Sequence, residues 1–199
     1  MKSLLIFSIT LVFISSIIAS QLIQPENEIR IYIENSVPYV GTEIPRMDGM
    51  NGNGIKIAVI DTGVDFNHPD LFGWGPNGKV IGGHNFVQPN QLPMDNNGHG
   101  TKVAGIIAAD GNILGVANKA KILAYKVSED GEGVSSELIS GAIEKAIKDE
   151  ADIINISLGV NRTNSKIDSA VNHALDNGIF VVTAAGNDGP ELETIGSPG

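Results

Sequence analysis

The chain contains no cysteine. A disulfide framework, a thiolate nucleophile and a cysteine-based zinc site are therefore excluded. Aromatic residues are scarce at 5%, and no segment is of low complexity or repeats at solenoid spacing. Basic residues are in the minority: 13 Lys and Arg stand against 23 Asp and Glu, for a net charge of −10. That deficit argues against a nucleic-acid partner, whose phosphates demand clustered cations. No uninterrupted apolar run reaches the roughly 20 residues that a membrane span needs. Leu4 to Ile18 comes nearest, but it is short and broken by Ser and Thr. It follows Lys2 and runs into Ala19-Ser20, so residues 1–20 read as a secretory signal peptide. The alternative is an uncleaved N-terminal anchor, because Ile17 and Ile18 suit a small-x-small cleavage site poorly. Either reading places the folded part outside the cytoplasm and makes the protein secreted or extracellular.

What is present is a globular composition, 42% hydrophobic over 199 residues, which fits one domain with a real core. Residues 21–53 are punctuated by Pro and Gly and read as an extended lead-in, with one candidate strand at Glu28 to Ile33. From Ile55 the pattern changes. Ile55 to Ile60, Lys121 to Val127, Ala151 to Ser157 and Gly178 to Thr183 are β-branched, apolar runs of the kind buried on both faces of a parallel sheet. Between them lie helical stripes. One starts at Ser165, repeats through Ile167, Ala170, Val171, Ala174 and Leu175, and stops at Asn177-Gly178. A second opens at Ser135, with Leu138, Ala142, Ile143, Ala146 and Ile147 on one side. A third, Gly100 to Ala109, is rich in small residues that let a helix lie close to a sheet. Strands alternating with helices predict an α/β fold, a doubly wound and mostly parallel sheet with helices on both faces. Ligands of such sheets sit beyond the carboxyl ends of the strands.

Three residues with useful chemistry fall in those places. Asp61 closes the first run, and a carboxylate there can accept an imidazole N–H and fix its tautomer. An Asx-turn is the plainer role for an Asp after a strand. His99 stands between Gly98 and Gly100, where its ring is unobstructed. Asn187 follows Ala184-Ala185-Gly186, where its side-chain amide can donate to a developing oxyanion, though Asn-Asp-Gly is also a turn former. Ser157-Leu158-Gly159 at a strand end and Gly131-Glu132-Gly133 before a helix could each offer backbone to an extended peptide. Rival readings find less support. Asp61-Thr62-Gly63 matches the aspartic-protease triplet, but no second copy exists. Asp95 and His99 have the i, i+4 spacing of metal ligands, but Asn96-Asn97-Gly98 opposes a helix between them, and His-Glu-x-x-His is absent. No metal is expected from these motifs.

The motifs in order resemble the subtilisin-like serine proteases, or subtilases. The stretches that carry the resemblance are Val59-Ile60-Asp61-Thr62-Gly63-Val64-Asp65, His68-Pro69-Asp70-Leu71, Gly98-His99-Gly100-Thr101, Leu114-Gly115-Val116-Ala117, Asn155-Ile156-Ser157-Leu158-Gly159 and Ala184-Ala185-Gly186-Asn187. Ser36-Val37-Pro38-Tyr39 also looks like the start of a mature subtilase. The resemblance implies a secreted endopeptidase acting on polypeptides through an Asp-His-Ser triad. Asp61 would orient His99, His99 would be the general base, and Asn187 would serve the oxyanion hole. Ser157, Leu158, Gly159, Gly131 and Gly133 would pair with the substrate backbone. Ala184, Ala185 and Gly186 would wall the main pocket, with Gly196 near its floor and room there for a large apolar side chain. A monomer is expected, with no membrane attachment beyond the N-terminal anchor alternative.

The chain also departs from the family pattern. The family nucleophile lies in a Gly-Thr-Ser-x-Ala stretch past the Pro198-Gly199 loop, and Ser157 and Ser197 match other positions. Residues 54–199 are therefore expected to be a catalytic domain lacking its C-terminal part, inactive alone, from an incomplete gene product. The alternative is a non-catalytic, peptide-binding pseudoprotease. Only about fifteen residues stand where the family carries a folding pro-domain. The chemistry requires no cofactor. Calcium is implied by the resemblance through Asp70, but the Asp110-Gly111-Asn112-Ile113-Leu114 loop that should complete the oxygen shell is short.

Overall fold

The computed structural model describes residues 37, 39–131, 134–190 and 192–199. The signal peptide at 1–20, the candidate strand at 28–33 and Gly133 lie outside the described residues. The elements run in the order α1 (Glu43–Met47), β1 (Lys56–Asp61), a short 3₁₀ turn (Pro69–Leu71), β2 (Val80–Asn85), α2 (His99–Ala108), β3 (Lys121–Lys126), α3 (Ser136–Lys148), β4 (Ile153–Ile156), α4 (Ser165–Asp176) and β5 (Phe180–Thr183). The strands form one sheet in the order β2-β3-β1-β4-β5, and every pairing is parallel. This is the expected α/β architecture.

Strand β1 lies at the centre because both its faces are apolar. Ile57 and Val59 point into a cluster with Ile122, Ala124, Ala104 and Ala108, which seats α2 on one face of the sheet. Ala58 and Ile60 point the other way, into a cluster with Ile154, Ile156, Ile139, Ile143 and Ile167, which seats α3 and α4 on the opposite face. The period-2 alternation of a strand thus divides β1 between two cores. Helix caps set the other boundaries. Ser135 accepts from Glu137 N at the start of α3, and Asn164 accepts from Lys166 N and Ile167 N at the start of α4.

Two segments differ from the sequence expectation. Residues 43–47 of the lead-in are helical rather than extended. Arg46 fixes that turn by donating its guanidinium to the carbonyls of Leu114 and Gly115. Strand β2 was not among the four apolar runs, because Gly82 and Gly83 interrupt it. Gly83 has φ +137°, and a Cβ there would overlap the Ala124 carbonyl, so the glycine admits the close approach of β3.

At the opposite edge, β5 pairs only with β4 among the described residues. Phe180 and Val182 remain 73% and 54% exposed on it.

Chemical denaturation should separate core from surface. Ile143→Ala, which empties a fully buried position on α3, is expected to cost about 2–5 kcal/mol. Ile106→Ala, at an exposed position on α2, is expected to stay within about 0.5 kcal/mol of the parent.

Candidate active site

Asp61 is the last residue of β1, and its side chain is completely buried. His99 opens α2 and is 49% exposed. They stand 38 positions apart in the chain, yet His99 Nδ1 lies 2.8 Å from Asp61 Oδ1. The approach depends on Gly100. A Cβ at that position would overlap the Gly63 carbonyl oxygen and come within 3.0 Å of Asp61 Cβ. Only glycine lets the first turn of α2 descend this far onto the end of β1. Gly98, just before the helix, has φ +97°, a left-handed conformation that likewise favours glycine.

The carboxylate is held from a second direction. Thr62 N donates to Asp61 Oδ1 at 2.7 Å. Burial pushes the Asp61 carboxyl above its ordinary value, and the hydrogen bonds from His99 and Thr62 oppose that rise without cancelling it. Asp61 Oδ2 is buried without a protein partner.

The first turn of α2 is capped by a set of side chains that sequence reasoning missed. His99 N donates to Asn97 Oδ1 at 3.1 Å, and Gly100 N to Thr62 Oγ1 at 3.0 Å. Thr101 N donates to Asp95 Oδ2 at 2.9 Å. Three of the amides that a helix start normally leaves unpaired are thus satisfied. Asp95 and His99 share the spacing of metal ligands, but here the aspartate is a cap that reaches in from outside the helix. The Asp-x-x-Gly sequence just before a helix was the available signal.

His99 and Asp61 border a cleft of about 850 Å³. Gly131, Ser157, Leu158, Gly159, Ala184, Ala185, Gly186, Asn187 and Gly196 all line the same cleft. The structure therefore brings together every described residue that the sequence singled out for substrate or oxyanion binding. Two of the glycines have a packing reason as well. A Cβ at Gly196 would overlap the Val160 carbonyl, and one at Gly159 would come within 2.7 Å of Ser197 O. Val160 N donates to Ser197 O at 2.9 Å, so these glycines let two segments close against each other. Gly196 is therefore required by this contact, independently of any room it leaves for a side chain.

The cleft's two serines are engaged elsewhere. Ser157 Oγ accepts from Asn155 Nδ2 at 2.9 Å. Ser197 Oγ donates to Asp168 Oδ1 at 2.6 Å and accepts from Asn164 N at 2.7 Å. Among the described residues, no three His, Asp or Glu side chains cluster as a metal site.

A buried carboxylate at the end of a parallel strand and an imidazole at the start of a helix thus meet at the rim of a glycine-lined cleft. The chain belongs to the subtilase family, whose domain model matches residues 52–199. Thermitase of Thermoactinomyces vulgaris is 44% identical over 146 residues, covering 71% of this chain and 50% of that protein. The minor extracellular protease Vpr of Bacillus subtilis is 40% identical over 185 residues, covering 87% of this chain and 23% of that protein. Among solved structures, sphericase matches with a TM-score of 0.61 at 40% identity, covering 74% of this chain and 51% of that one. The chain thus spans about half or less of the length of each of these relatives.

Acid should reveal the opposite signs of the two buried carboxylates. Burial pushes the Asp95 carboxyl upward, but hydrogen bonds from Thr101, Gly98 and Asn97 outweigh it and hold the group below its ordinary value of 3.8. A depressed carboxyl stabilises the fold above 3.8 and loses that contribution as pH falls through its folded value. Asp61, raised above 3.8, behaves in reverse: its contribution is present at lower pH and is lost as pH rises through its folded value. The stability gap between the parent and Asp95→Asn, read by urea unfolding, is expected to narrow on acidification below 3.8. A gap that is constant with pH would contradict this sign.

Proposed function

We propose that the protein is a serine-type endopeptidase in which Asp61 orients His99 and His99 is the general base. The 2.8 Å contact between a fully buried carboxylate and a half-exposed imidazole at the rim of a cleft carries this reading. With Nδ1–H donated to Asp61, the imidazole keeps its lone pair on Nε2. That nitrogen would take the proton of an attacking serine hydroxyl and later deliver it to the leaving amine. Asp61 would hold the ring in this tautomer and stabilise the imidazolium while it exists. Asn187 would donate its amide N–H to the oxyanion that forms on the scissile carbonyl. An extended polypeptide would lie between Ser157-Leu158-Gly159 and Gly131, with one side chain against Ala184, Ala185 and Gly186 and near Gly196.

Neither Ser157 nor Ser197 is proposed as the nucleophile, since both hydroxyls have other partners and neither shares a hydrogen bond with His99. The alternative reading is a peptide-binding pseudoprotease that keeps the cleft and lacks turnover. A fluorophosphonate probe is expected to leave the 199-residue chain unlabelled, and labelling of either serine would overturn the assignment. The two readings part in a chimera that continues this chain with the C-terminal part of thermitase beyond the matched stretch. The endopeptidase reading expects hydrolysis of extended chromogenic peptides. There, His99→Ala should cost on the order of 10⁶ in kcat and Asp61→Asn on the order of 10⁴, magnitudes measured for a protease of this same family. Binding without hydrolysis favours the pseudoprotease.

The proposal includes no calcium at Asp70, because the residues there do not fit one. Asp70 Oδ1 accepts Asn112 N at 2.6 Å, so a backbone amide sits where a cation would compete. The neighbouring Asp110 is paired with Lys119 at 2.7 Å and Lys79 at 3.9 Å. Two ammonium groups beside Asp110 disfavour a divalent ion there. The melting temperature is expected to be the same in calcium and in chelator; a rise with calcium would restore the site. Export is supported by the pattern of residues 1–20 and by the kinship with an extracellular protease. No helix among the described residues is long and apolar enough to cross a membrane.

A further inference from the structure

Asp95 joins the two elements that carry the Asp61–His99 pair. Its carboxylate accepts five hydrogen bonds. Oδ1 takes Thr62 Oγ1, Asn97 N and Gly98 N, each at 2.9 Å. Oδ2 takes Thr101 N at 2.9 Å and Thr101 Oγ1 at 2.6 Å. Thr62 follows Asp61 at the exit of β1, and Thr101 sits two residues into α2 after His99. One anion therefore ties strand exit to helix start without lining the cleft itself. Thr62 closes the loop. Its hydroxyl donates to Asp95, its oxygen accepts Gly100 N, and its own amide donates to Asp61.

The anion is itself held in place. Val64 N donates to Pro93 O at 2.9 Å, and Lys126 Nζ donates to Met94 O at 2.9 Å. Lys126 is the register partner of Asp61 across β1 and β3, and its buried ammonium also pairs with Glu129 at 2.7 Å. A Cβ at Gly63 would come within 2.6 Å of Pro93 O, so glycine admits this loop against the end of β1. A charged acceptor is needed here because five donors converge on one side chain, and charge-assisted hydrogen bonds are the stronger kind. It also places negative charge at a helix N-terminus, where the backbone dipole favours it.

We propose that Asp95 is a positioning residue for the general base: its carboxylate, acting through Thr62 and Thr101, sets the distance and angle at which His99 Nδ1 meets Asp61. The proposal rests on the reading of His99 as the base, but its test reads the imidazole and needs no turnover. An ordinary helix cap would affect stability alone, whereas a positioning residue affects the ring.

The test uses the full 199-residue chain labelled with ¹⁵N, and reads the tautomer of neutral His99 from ring-nitrogen shifts in long-range proton–nitrogen spectra. The parent is expected to hold the Nδ1–H form that donates to Asp61. Asp95→Asn keeps the shape but removes the charge and presents an amide donor to Thr101 N. It is expected to move the Nδ1–H to Nε2–H ratio at least fivefold toward Nε2–H. Thr62→Val cuts the link to β1 while leaving Asp95 in place, and should shift the ratio in the same direction. Thr62→Ser restores the hydroxyl and should return the ratio to that of the parent. The Thr62 pair decides the matter if Asp95→Asn does not fold. A parent-like tautomer ratio in Thr62→Val or in folded Asp95→Asn would overturn the proposal. A shifted ratio, alongside a thermitase chimera that hydrolyses nothing, would leave it standing and count only against the endopeptidase reading.

Discussion

The hydrogen bond between Asp61 and His99 is the contact on which the remaining structure depends. It asks for a carboxylate buried at the end of a central strand, a costly placement in the absence of donors. The fold supplies the donors locally: the Thr62 amide and the imidazole itself. It supplies the proximity through an omission, since a single methyl group at Gly100 would keep α2 away from β1. The two cores that seat β1 between α2 on one side and α3 and α4 on the other then hold the end of the strand still. Rigidity at that end keeps the carboxylate–imidazole hydrogen bond in one geometry.

The sequence revealed the skeleton of this arrangement well. β1, β3, β4 and β5 announced themselves as β-branched runs, and α3 and α4 as amphipathic stripes, with a Ser cap for α3 and a closing glycine for α4. Asp61 and His99 could be picked out because a strand end and a glycine-flanked ring are local features. What stayed hidden was non-local. β2 is broken by Gly82 and Gly83, whose meaning appears only once β3 is seen pressing against them. The turn at residues 43–47 owes its helix to Arg46 gripping carbonyls 68 and 69 positions away, which no local pattern encodes. Asp95 was visible only as an acid four residues before a histidine. Its partners Thr62 and Thr101 come from two different elements.

The glycines of the cleft carry a related lesson. Gly159 and Gly196 look from the sequence like groups left bare for a substrate. In the fold they are bare first for each other's neighbours, Ser197 and Val160. A change at either glycine would therefore disturb this internal packing. The same holds for Asp70. It sits in a stretch shared with the family, and in this fold its carboxylate accepts the Asn112 amide.

Among the described residues, strand β5 is paired on one flank only, and Phe180 and Val182 are open to water. Bare backbone of this kind is a template that a second polypeptide can extend. The counterweight is electrostatic, for every copy of the chain carries ten surplus negative charges, and copies repel until salt intervenes. Screening shortens that repulsion to about 10 Å at 0.1 M salt. Ionic strength therefore sets how closely two copies of the chain approach one another in a concentrated solution.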